Sequence, residues 1–417
     1  MRVIYTTASP IGGSGLAEVA GHAVAGLSQH GWLQQAVTPR NRLSTIPREQ
    51  VREVRFQPTK IFSALPSRYY YPMKRAWVDR VAAACVSRQT CDLVHGWTHE
   101  ALRTFRAARR VGAVAVLERN YAHPRHSREI LEAEYAAAGI RWPGPSWPGL
   151  WRYDHWVREL TVALDEFTEA DIVLVPAEFT RETMVARGVP AEKIRVLPRG
   201  VDAERLRIGP RAPRPFRVLF VGQVCLRKGI RYLLEAWRRL SLRDAELTLL
   251  GTVNEEVRGL LARYRDLSGL RVEGFARDTS PYYAAASVFV LPTLDEGSAK
   301  VTAEAMAAGL PVITTPEAGS LVVDGESGFL VPATDVESLA ERLARLHAHP
   351  EVGAMMGAAA RESILPYTWA RYQEGLIEVY REAVARKCAT VESSSSVVES
   401  SSGRLESTPR PNGQTTS

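Results

Sequence analysis

Residues 291–313 read LPTLDEGSAKVTAEAMAAGLPVI, and they predict a strand, a turn, a helix and a second strand in succession. The apolar run at 288–291 stops at Pro292, which is typical of a buried parallel strand. Strong helix formers fill residues 300–308, and Gly309 ends the helix. Such a crossover unit belongs to an α/β sheet, and its ligand-facing end is the turn at the carboxyl edge of the strand.

Two carboxylates, Glu296 and Glu304, mark the turn and the helix of this unit. At about 1.5 Å of rise per helical residue, their separation corresponds to about 12 Å. The paired carboxylates of a glycoside hydrolase lie roughly 5 to 9.5 Å apart, so this spacing suits two ends of one long ligand better than an acid/base pair. A solvated helix face is the alternative interpretation of the same pair.

The free N–H groups of the helix start lie between the two carboxylates and form a site for phosphate. We therefore expect a sugar at Glu296, a diphosphate at the helix start and a pair of ribose hydroxyls near Glu304. The residues expected to line the diphosphate are Gly297, Ser298, Ala299 and Lys300.

At these residues the chain resembles the family-4 glycosyltransferases, which are retaining enzymes of the GT-B fold. Their signature is a Glu, seven residues, a second Glu, then Ala-Met-Ala and Gly-x-Pro-Val, and the residues that match it here are Glu296, Glu304, Ala305, Met306, Ala307, Gly309, Pro311 and Val312. The resemblance implies an α/β protein with two Rossmann-like, doubly wound domains that face a central cleft. It implies a hexosyl- or related glycosyltransferase that uses a nucleotide-sugar donor and a glycan, lipid-linked or small-molecule acceptor.

The length of 417 residues is sufficient for two α/β domains and a tail. A basic linker with three prolines, residues 203–215, separates an acceptor-side domain (1–203) from a donor domain (204–365). The resemblance implies that a helix (366–386) crosses back onto the first domain. Residues 387–417 are rich in serine with few large apolar side chains, which predicts disorder.

Composition limits where the protein works. No apolar run is long enough for a membrane-spanning helix, and the first residues turn polar too soon for a signal peptide. The four cysteines lack metal or disulfide spacing, which favours a reducing cytoplasm: Cys85, Cys91, Cys225 and Cys388. The net charge of +7 suits a phosphate-bearing donor and a peripheral contact with an anionic membrane, on the cytoplasmic face of the plasma membrane, or serves solubility alone. No nucleic-acid-binding signature is present, so no nucleic-acid partner is expected.

A glycine-rich turn at residues 9–15, SPIGGSG, follows the first strand and precedes a helix. Glycines allow the backbone to approach a ligand. The resemblance implies that Gly12 and Gly13 lie against the donor phosphate and sugar, whereas a tight turn without a ligand is the alternative. A binding protein or a dinucleotide oxidoreductase is a third interpretation of this turn, but no ribose-binding acid ends the next strand, residues 33–38.

The resemblance also implies functional roles for residues in two further segments. Many family members carry a histidine just past the strand at 113–117, near the reacting sugar, and His123 with Arg119 are the candidates here, with His95 as the competitor. Family members also grip the donor diphosphate with an Arg and a Lys-Gly pair after the first strand of the second domain. Lys228 matches that lysine, Gln223 replaces the arginine, and Arg227 is expected to supply the lost charge.

The chemistry of transfer needs the leaving diphosphate to be stabilised by a metal or by basic groups and helix dipoles. No Asp-x-Asp occurs in the chain, so we expect no metal and no cofactor, and the helix start with Lys228 is expected to act instead. The family is retaining, with front-face attack expected. Another GT-B enzyme, either a sugar phosphorylase or a nucleotide-sugar epimerase, is the alternative function.

Overall fold

A seven-stranded parallel sheet forms the amino-terminal half of the computed structural model, which describes residues 1–55, 67–142, 155–206 and 215–402. The strand order is β3-β2-β1-β4-β5-β6-β7. The strands are β1 (Val3–Thr6), β2 (Leu33–Thr38), β3 (Val51–Glu53), β4 (Leu93–Trp97), β5 (Val114–Glu118), β6 (Ile172–Val175) and β7 (Ile194–Val196). The central strands are almost entirely buried, as expected for a parallel sheet covered on both faces.

Helices cover both faces of this sheet. They are α1 (Leu16–Gln29), α2 (Ser67–Val86), α3 (Leu102–Arg110), α4 (Pro124–Ala137), α5 (His155–Glu169) and α6 (Glu178–Val185). One core cluster joins the sheet to α2, α3 and α5, and a second joins its other face to α1 and to the carboxyl-terminal helix, α13 (Trp369–Ser402).

The carboxyl-terminal half contains a six-stranded parallel sheet of order β10-β9-β8-β11-β12-β13. Its strands are β8 (Phe216–Val221), β9 (Ala245–Leu250), β10 (Leu270–Gly274), β11 (Val288–Leu291), β12 (Val312–Thr314) and β13 (Gly328–Leu330). Its helices are α7 (Ile230–Leu240), α8 (Arg258–Arg263), α9 (Ser280–Ala285), α10 (Lys300–Ala307), α11 (Val336–Ala348) and α12 (Pro350–Ile364). The predicted fold class, two Rossmann-like doubly wound domains, is confirmed.

The strand order reverses between β1 and β4 in the first sheet and between β8 and β11 in the second. A ligand of an open α/β sheet binds at such a switch point, beyond the carboxyl ends of the strands. The turns that follow β1, β8 and β11 are therefore the expected ligand-binding positions. Of the predicted linker at 203–215, residues 207–214 lie outside the described residues.

The carboxyl-terminal helix is longer than the sequence suggests. Disorder was predicted from residue 387; α13 extends to Ser402, residues 403–417 lie outside the described residues, and the predicted disorder of the tail stays a prediction. Lys387 explains the first part of the extension, because its ammonium donates to the carbonyl of Ala113 at 2.6 Å and pairs with Asp171 at 3.1 Å. Once one turn is held, each added helical residue gains a backbone hydrogen bond at low entropic cost.

A buried hydrogen-bonded chain ties α13 to the first sheet. The Tyr380 hydroxyl donates to Nδ1 of His95 at 2.8 Å, and Nε2 of His95 donates to Glu118 at 3.2 Å. The imidazole also stacks on Tyr5, with 4.6 Å between ring centroids. Both nitrogens of His95 thus have hydrogen-bond partners. In the described part of the chain, no helix is long and apolar enough to cross a membrane.

We expect Tyr380→Phe to lower the free energy of unfolding by about 1 to 3 kcal/mol, because Nδ1 of buried His95 would lose its partner. Tyr372→Phe is the matched control: Tyr372 is buried on the same helix, but its hydroxyl has no hydrogen-bond partner among the described residues. Removing this unpaired buried hydroxyl should leave the free energy of unfolding unchanged or raise it. Urea denaturation measures both, and equal losses would contradict the role of the hydrogen bond.

Candidate active site

The turn between β11 and α10, residues 292–299, forms the centre of the candidate site and is called here the acid-glycine turn. Its residues are almost all buried, including the polar side chains of Thr293, Asp295 and Glu296. Thr293 donates to the carbonyl of Arg227 at 3.1 Å, so the turn is bonded to the segment that follows β8. Two loops at the switch point of the second sheet therefore meet in one place.

Glu296 binds two cations from a single short helical turn, Leu226–Lys228, which follows β8. One carboxylate oxygen contacts both the Lys228 ammonium and, at 2.9 Å, the Arg227 guanidinium. Arg227 also donates to the backbone carbonyl of Asp295 at 2.8 Å. Two basic side chains thus converge on one carboxylate, and an anion that shares them would be stabilised.

Gly229 makes this convergence possible. Its φ is +69°, and an added Cβ atom would overlap the carbonyl oxygen of Pro292 in the acid-glycine turn. Only a residue without a side chain lets the two loops approach so closely.

Burial, together with the neighbouring Arg227 cation, lowers the pKa of Lys228 to about 7. The Lys228 amine is therefore only partly protonated near neutral pH, and a bound anion would favour its protonated form. Gln223, which stands where an arginine was expected, is exposed, whereas Arg227 reaches Glu296.

The start of α10 offers backbone donors beside these cations. In the described part of the chain, the amides of Gly297, Ser298 and Lys300 have no backbone acceptor, whereas Ala299 donates its N–H to the carbonyl of Ala318 at 2.9 Å. Ala299, expected among the phosphate donors, is thus already bonded within the protein. The remaining amides and the helix dipole favour a negative charge.

Lys300 joins the two halves instead of pointing at an open site. Its ammonium contacts Glu18 of α1 at 2.5 Å and Glu304 at 3.2 Å. Burial would lower the pKa of Lys300, but the carboxylates of Glu304 and Glu18 raise it above its ordinary value. Glu304 also accepts from the Tyr283 hydroxyl at 3.1 Å, so its position one turn along α10 is held from two sides.

The glycine-rich turn at 9–15 lies on the other side of this contact. Gly12 and Gly13 have φ values of +84° and +125°, and the amide of Gly12 donates to the carbonyl of Ala17 at 2.8 Å. Glu18 follows Ala17, the residue to which the turn is bonded. The ion pair of Glu18 with Lys300 therefore brings the glycine-rich turn close to the start of α10. The structure thus assembles at one place two segments that are far apart in sequence.

Gly297 has a packing role that the motif did not indicate. An added Cβ atom there would overlap the carbonyl oxygen of Asn120, in the loop after β5. Thr180 donates to the carbonyl of Gly297 at 3.1 Å, and Ser127 donates to the Asp295 carboxylate at 3.0 Å. Burial raises the pKa of Asp295. The acid-glycine turn is therefore clamped against the amino-terminal half.

Arg119 lies in the loop after β5 and is buried against it. Its guanidinium donates to the carbonyls of Tyr121, at 3.0 Å, and Ala122, at 2.5 Å. Burial lowers its pKa to about 10. Within the described residues, its hydrogen-bond partners all belong to the amino-terminal half, which is the arrangement of a residue that holds the loop.

His123 is fully buried and caps α4, since its Nδ1 accepts the N–H of Arg125 at 3.2 Å. Burial, with the nearby Arg119 cation, lowers the pKa of His123 to about 4, so the ring is neutral. Its Nε2 is buried and has no hydrogen-bond partner among the described residues. The competitor, His95, is also fully buried and is engaged by Tyr380 and Glu118.

Sequence reasoning missed Glu18 and Asp295 as contributors. Glu18 lies in the first turn of α1, where an acid is common at a helix start, so its pairing with Lys300 had no local signal. Asp295 was visible only as one polar residue of the turn, and its bond to Ser127 joins residues 168 positions apart. Within the described residues, no cluster of three or more His, Cys, Asp or Glu side chains could hold a metal ion.

Two family models match the chain: Glycosyltransferase Family 4 over residues 13–205 and Glycosyl transferases group 1 over residues 215–349. A D-inositol 3-phosphate glycosyltransferase of Saccharomonospora viridis is 40% identical over 111 residues, which are 26% of each chain. An alpha-maltose-1-phosphate synthase of Mycolicibacterium smegmatis is 32% identical over 190 residues, covering 40% of this chain and 48% of the relative. The chain spans about a quarter to a half of the length of such curated relatives.

Solved structures show the same fold over nearly the whole chain. Sucrose-phosphate synthase from Thermosynechococcus elongatus has a TM-score of 0.67 at 20% identity, covering 93% of this chain and all of that one. Anabaena HepE in complex with UDP and glucose has a TM-score of 0.63 at 17% identity, covering 91% of this chain and 99% of that one.

Replacing Gly297 by Ala should separate the acid-glycine turn from the loop after β5, because the new methyl group would overlap the Asn120 carbonyl. We expect a loss of at least about 2 kcal/mol in stability or a more open molecule, measured by thermal unfolding and by small-angle X-ray scattering. Gly259→Ala on α8 is the control, since no atom lies within 4 Å of its added Cβ. A Gly297→Ala protein as stable and compact as this control would refute the clamp.

Proposed function

The chain belongs to the family-4 glycosyltransferases, and we propose that it transfers a sugar from a nucleotide-diphosphate donor to an acceptor, with retention of configuration and without a metal. The observation that carries the proposal is the convergence of Arg227, Lys228 and the amino-terminal end of α10 around Glu296. This arrangement supplies the positive charge that a departing diphosphate requires.

The donor lies with its diphosphate on the two cations and on the free amides at the start of α10. Its sugar reaches Glu296, and its ribose reaches Glu304, one turn along the helix. Solved structures of Anabaena HepE contain UDP and UDP-glucose, and this likeness of fold supports a donor of the nucleotide-sugar class. In this proposal, the backbone of Gly12 and Gly13 lies against the phosphate and sugar of the donor.

In the proposed reaction, the bond between C1 of the sugar and the diphosphate oxygen breaks. A bond from the acceptor hydroxyl oxygen to C1 forms on the same face, and the hydroxyl proton passes to the departing phosphate oxygen. Lys228 and Arg227 stabilise the charge that develops on that phosphate. Glu296 is held by both cations, so it orients sugar hydroxyls instead of attacking C1.

The acceptor is a glycan or a lipid-linked saccharide, bound by the amino-terminal half. A peripheral contact with anionic lipid on the cytoplasmic face is part of the same proposal. The net charge of +7 supports it, as do two exposed arginines of α3, Arg103 and Arg110. Two other arginines of this helix, Arg106 and Arg109, are paired with Asp165 and Glu169.

A thermal-shift screen against UDP, GDP, ADP and their sugars tests the donor, and product analysis by mass spectrometry tests the transfer. Release of a sugar 1-phosphate from a glycan in the presence of free phosphate would instead support a phosphorylase. Interconversion of the donor without an acceptor would support an epimerase.

Glu296 and Glu304 should have separable effects. We expect Glu296→Gln to lower kcat by about 100-fold or more, because the carboxylate is proposed to orient the reacting sugar. Affinity for the free nucleoside diphosphate should not fall, because Lys228 and Arg227, the partners of Glu296, remain to bind the phosphates. Glu304→Gln should weaken binding of the free nucleoside diphosphate by about tenfold with a smaller change in kcat. Glu326→Gln, at an exposed carboxylate of the same half, is the control. Unchanged turnover in Glu296→Gln would refute its role.

Nucleotide affinity should depend on pH through Lys228. Its lowered pKa, about 7, means that the free protein is largely deprotonated at this site at pH 8, whereas the bound diphosphate requires the ammonium. Binding should therefore take up close to one proton at pH 8, and affinity should fall by up to about tenfold per pH unit above about pH 7. Calorimetry in buffers of different ionisation enthalpy measures the uptake. Lys228→Arg should abolish it, and pH-independent affinity in the parent protein would contradict this assignment.

A further inference from the structure

A cavity of about 710 Å³ opens beside the glycine-rich turn, between the end of β2 and β3. Among the residues that line it are three arginines and one carboxylate: Arg42, Arg48, Arg55 and Glu53. None of these belongs to the donor site described above, and no family motif includes them.

The single carboxylate neutralises only one of the three cations. Glu53 pairs with Arg55 at 2.9 Å and accepts the backbone N–H of Asn41 at 2.9 Å. These two interactions lower the pKa of Glu53. Among the described residues, Arg42 and Arg48 have no ion-pair partner, so two guanidinium groups remain to bind an anion at this wall.

The position of the cavity connects it to the proposed donor site. An added Cβ atom on Gly13 would lie 2.7 Å from a terminal nitrogen of Arg42, so this guanidinium rests on the glycine-rich turn. A backbone bridge between Ile11 and Asn41 joins the same turn to the cavity wall. On the other side, the pair of Glu18 with Lys300 leads to the start of α10. The cavity wall is therefore continuous with the glycine-rich turn, which is proposed to lie against the donor.

We propose that this cavity binds the acceptor and that the acceptor carries a phosphate group, held by Arg42 and Arg48. The inference rests on the proposed transferase function and names the substrate class of its acceptor side. Phosphate fits better than a carboxylate, because one guanidinium satisfies a carboxylate by a bidentate contact, whereas a phosphate has oxygens for two. A soluble sugar phosphate and a lipid-linked phosphate share this chemistry.

Calorimetry on the full chain, saturated with UDP to fill the donor site, tests the proposal with paired probes. Glycerol 3-phosphate is compared with glycerol, and a polyprenyl phosphate in detergent micelles is compared with the neutral polyprenol. We expect the phosphorylated member of at least one pair to bind tenfold or more tightly than its neutral partner. Preference within the soluble pair identifies a soluble acceptor, and preference within the micellar pair alone identifies a lipid-linked one. Equal affinity within both pairs would overturn the proposal.

Three variants test the residues. Arg42→Gln and Arg48→Gln should each lower affinity for the phosphorylated probe by about tenfold, and Arg42→Lys should recover part of the loss because it restores the charge. Arg52→Gln is the matched control, since Arg52 is exposed on β3 but does not line the cavity. An equal loss in Arg52→Gln would refute the assignment.

The two proposals fail in different ways. Transfer to neutral acceptors only, insensitive to Arg42→Gln, would overturn the phosphate-bearing acceptor while leaving the transferase function intact. Phosphate affinity that depends on Arg42 and Arg48, in a protein that binds no nucleotide and transfers no sugar, would overturn the transferase function and leave an anion site.

Discussion

Backbone lies against backbone where the two halves of the molecule meet, and this close approach determines the geometry of the site. Between the halves, Gly297 rests on the carbonyl of Asn120, and within the carboxyl-terminal half Gly229 rests on the carbonyl of Pro292. Each approach excludes even a methyl group. As a result, the acid-glycine turn is held from one side by the amino-terminal half and from the other by the turn that carries Arg227 and Lys228. The positions of the charged groups follow from these contacts.

The electrostatics of the site follow from the same closeness. Because the turns are buried together, Lys228 loses solvation and its pKa falls to about 7, while burial raises the pKa of Asp295. Two basic side chains, Arg227 and Lys228, converge on the buried Glu296 carboxylate. The start of α10 adds backbone donors and the positive end of a helix dipole. The proposed diphosphate would bind these groups and favour the protonated form of Lys228.

The carboxyl-terminal helix is longer than its amino-acid composition predicts, because tertiary contacts hold it. Serine-rich sequence predicts disorder from residue 387, but α13 runs to Ser402. Lys387 bonds to Ala113 and Asp171, and Tyr380 bonds to His95 deep under the first sheet. Tertiary contacts of this kind stabilise a helix that local sequence propensity does not predict.

The strand, turn and helix pattern at 288–313 was sufficient to predict a crossover unit of an α/β sheet, because apolar runs, helix formers and the stop signals of Pro and Gly are local properties. The spacing of Glu296 and Glu304 was readable for the same reason, whereas the two doubly wound domains and the candidacy of Lys228 came from the family resemblance. The tertiary structure alone decided which groups meet: Glu18 with Lys300, Ser127 with Asp295, and Arg42 with the glycine-rich turn. These partners are separated by up to 282 residues. Their proximity depends on how the sheets pack, and no local spacing encodes that.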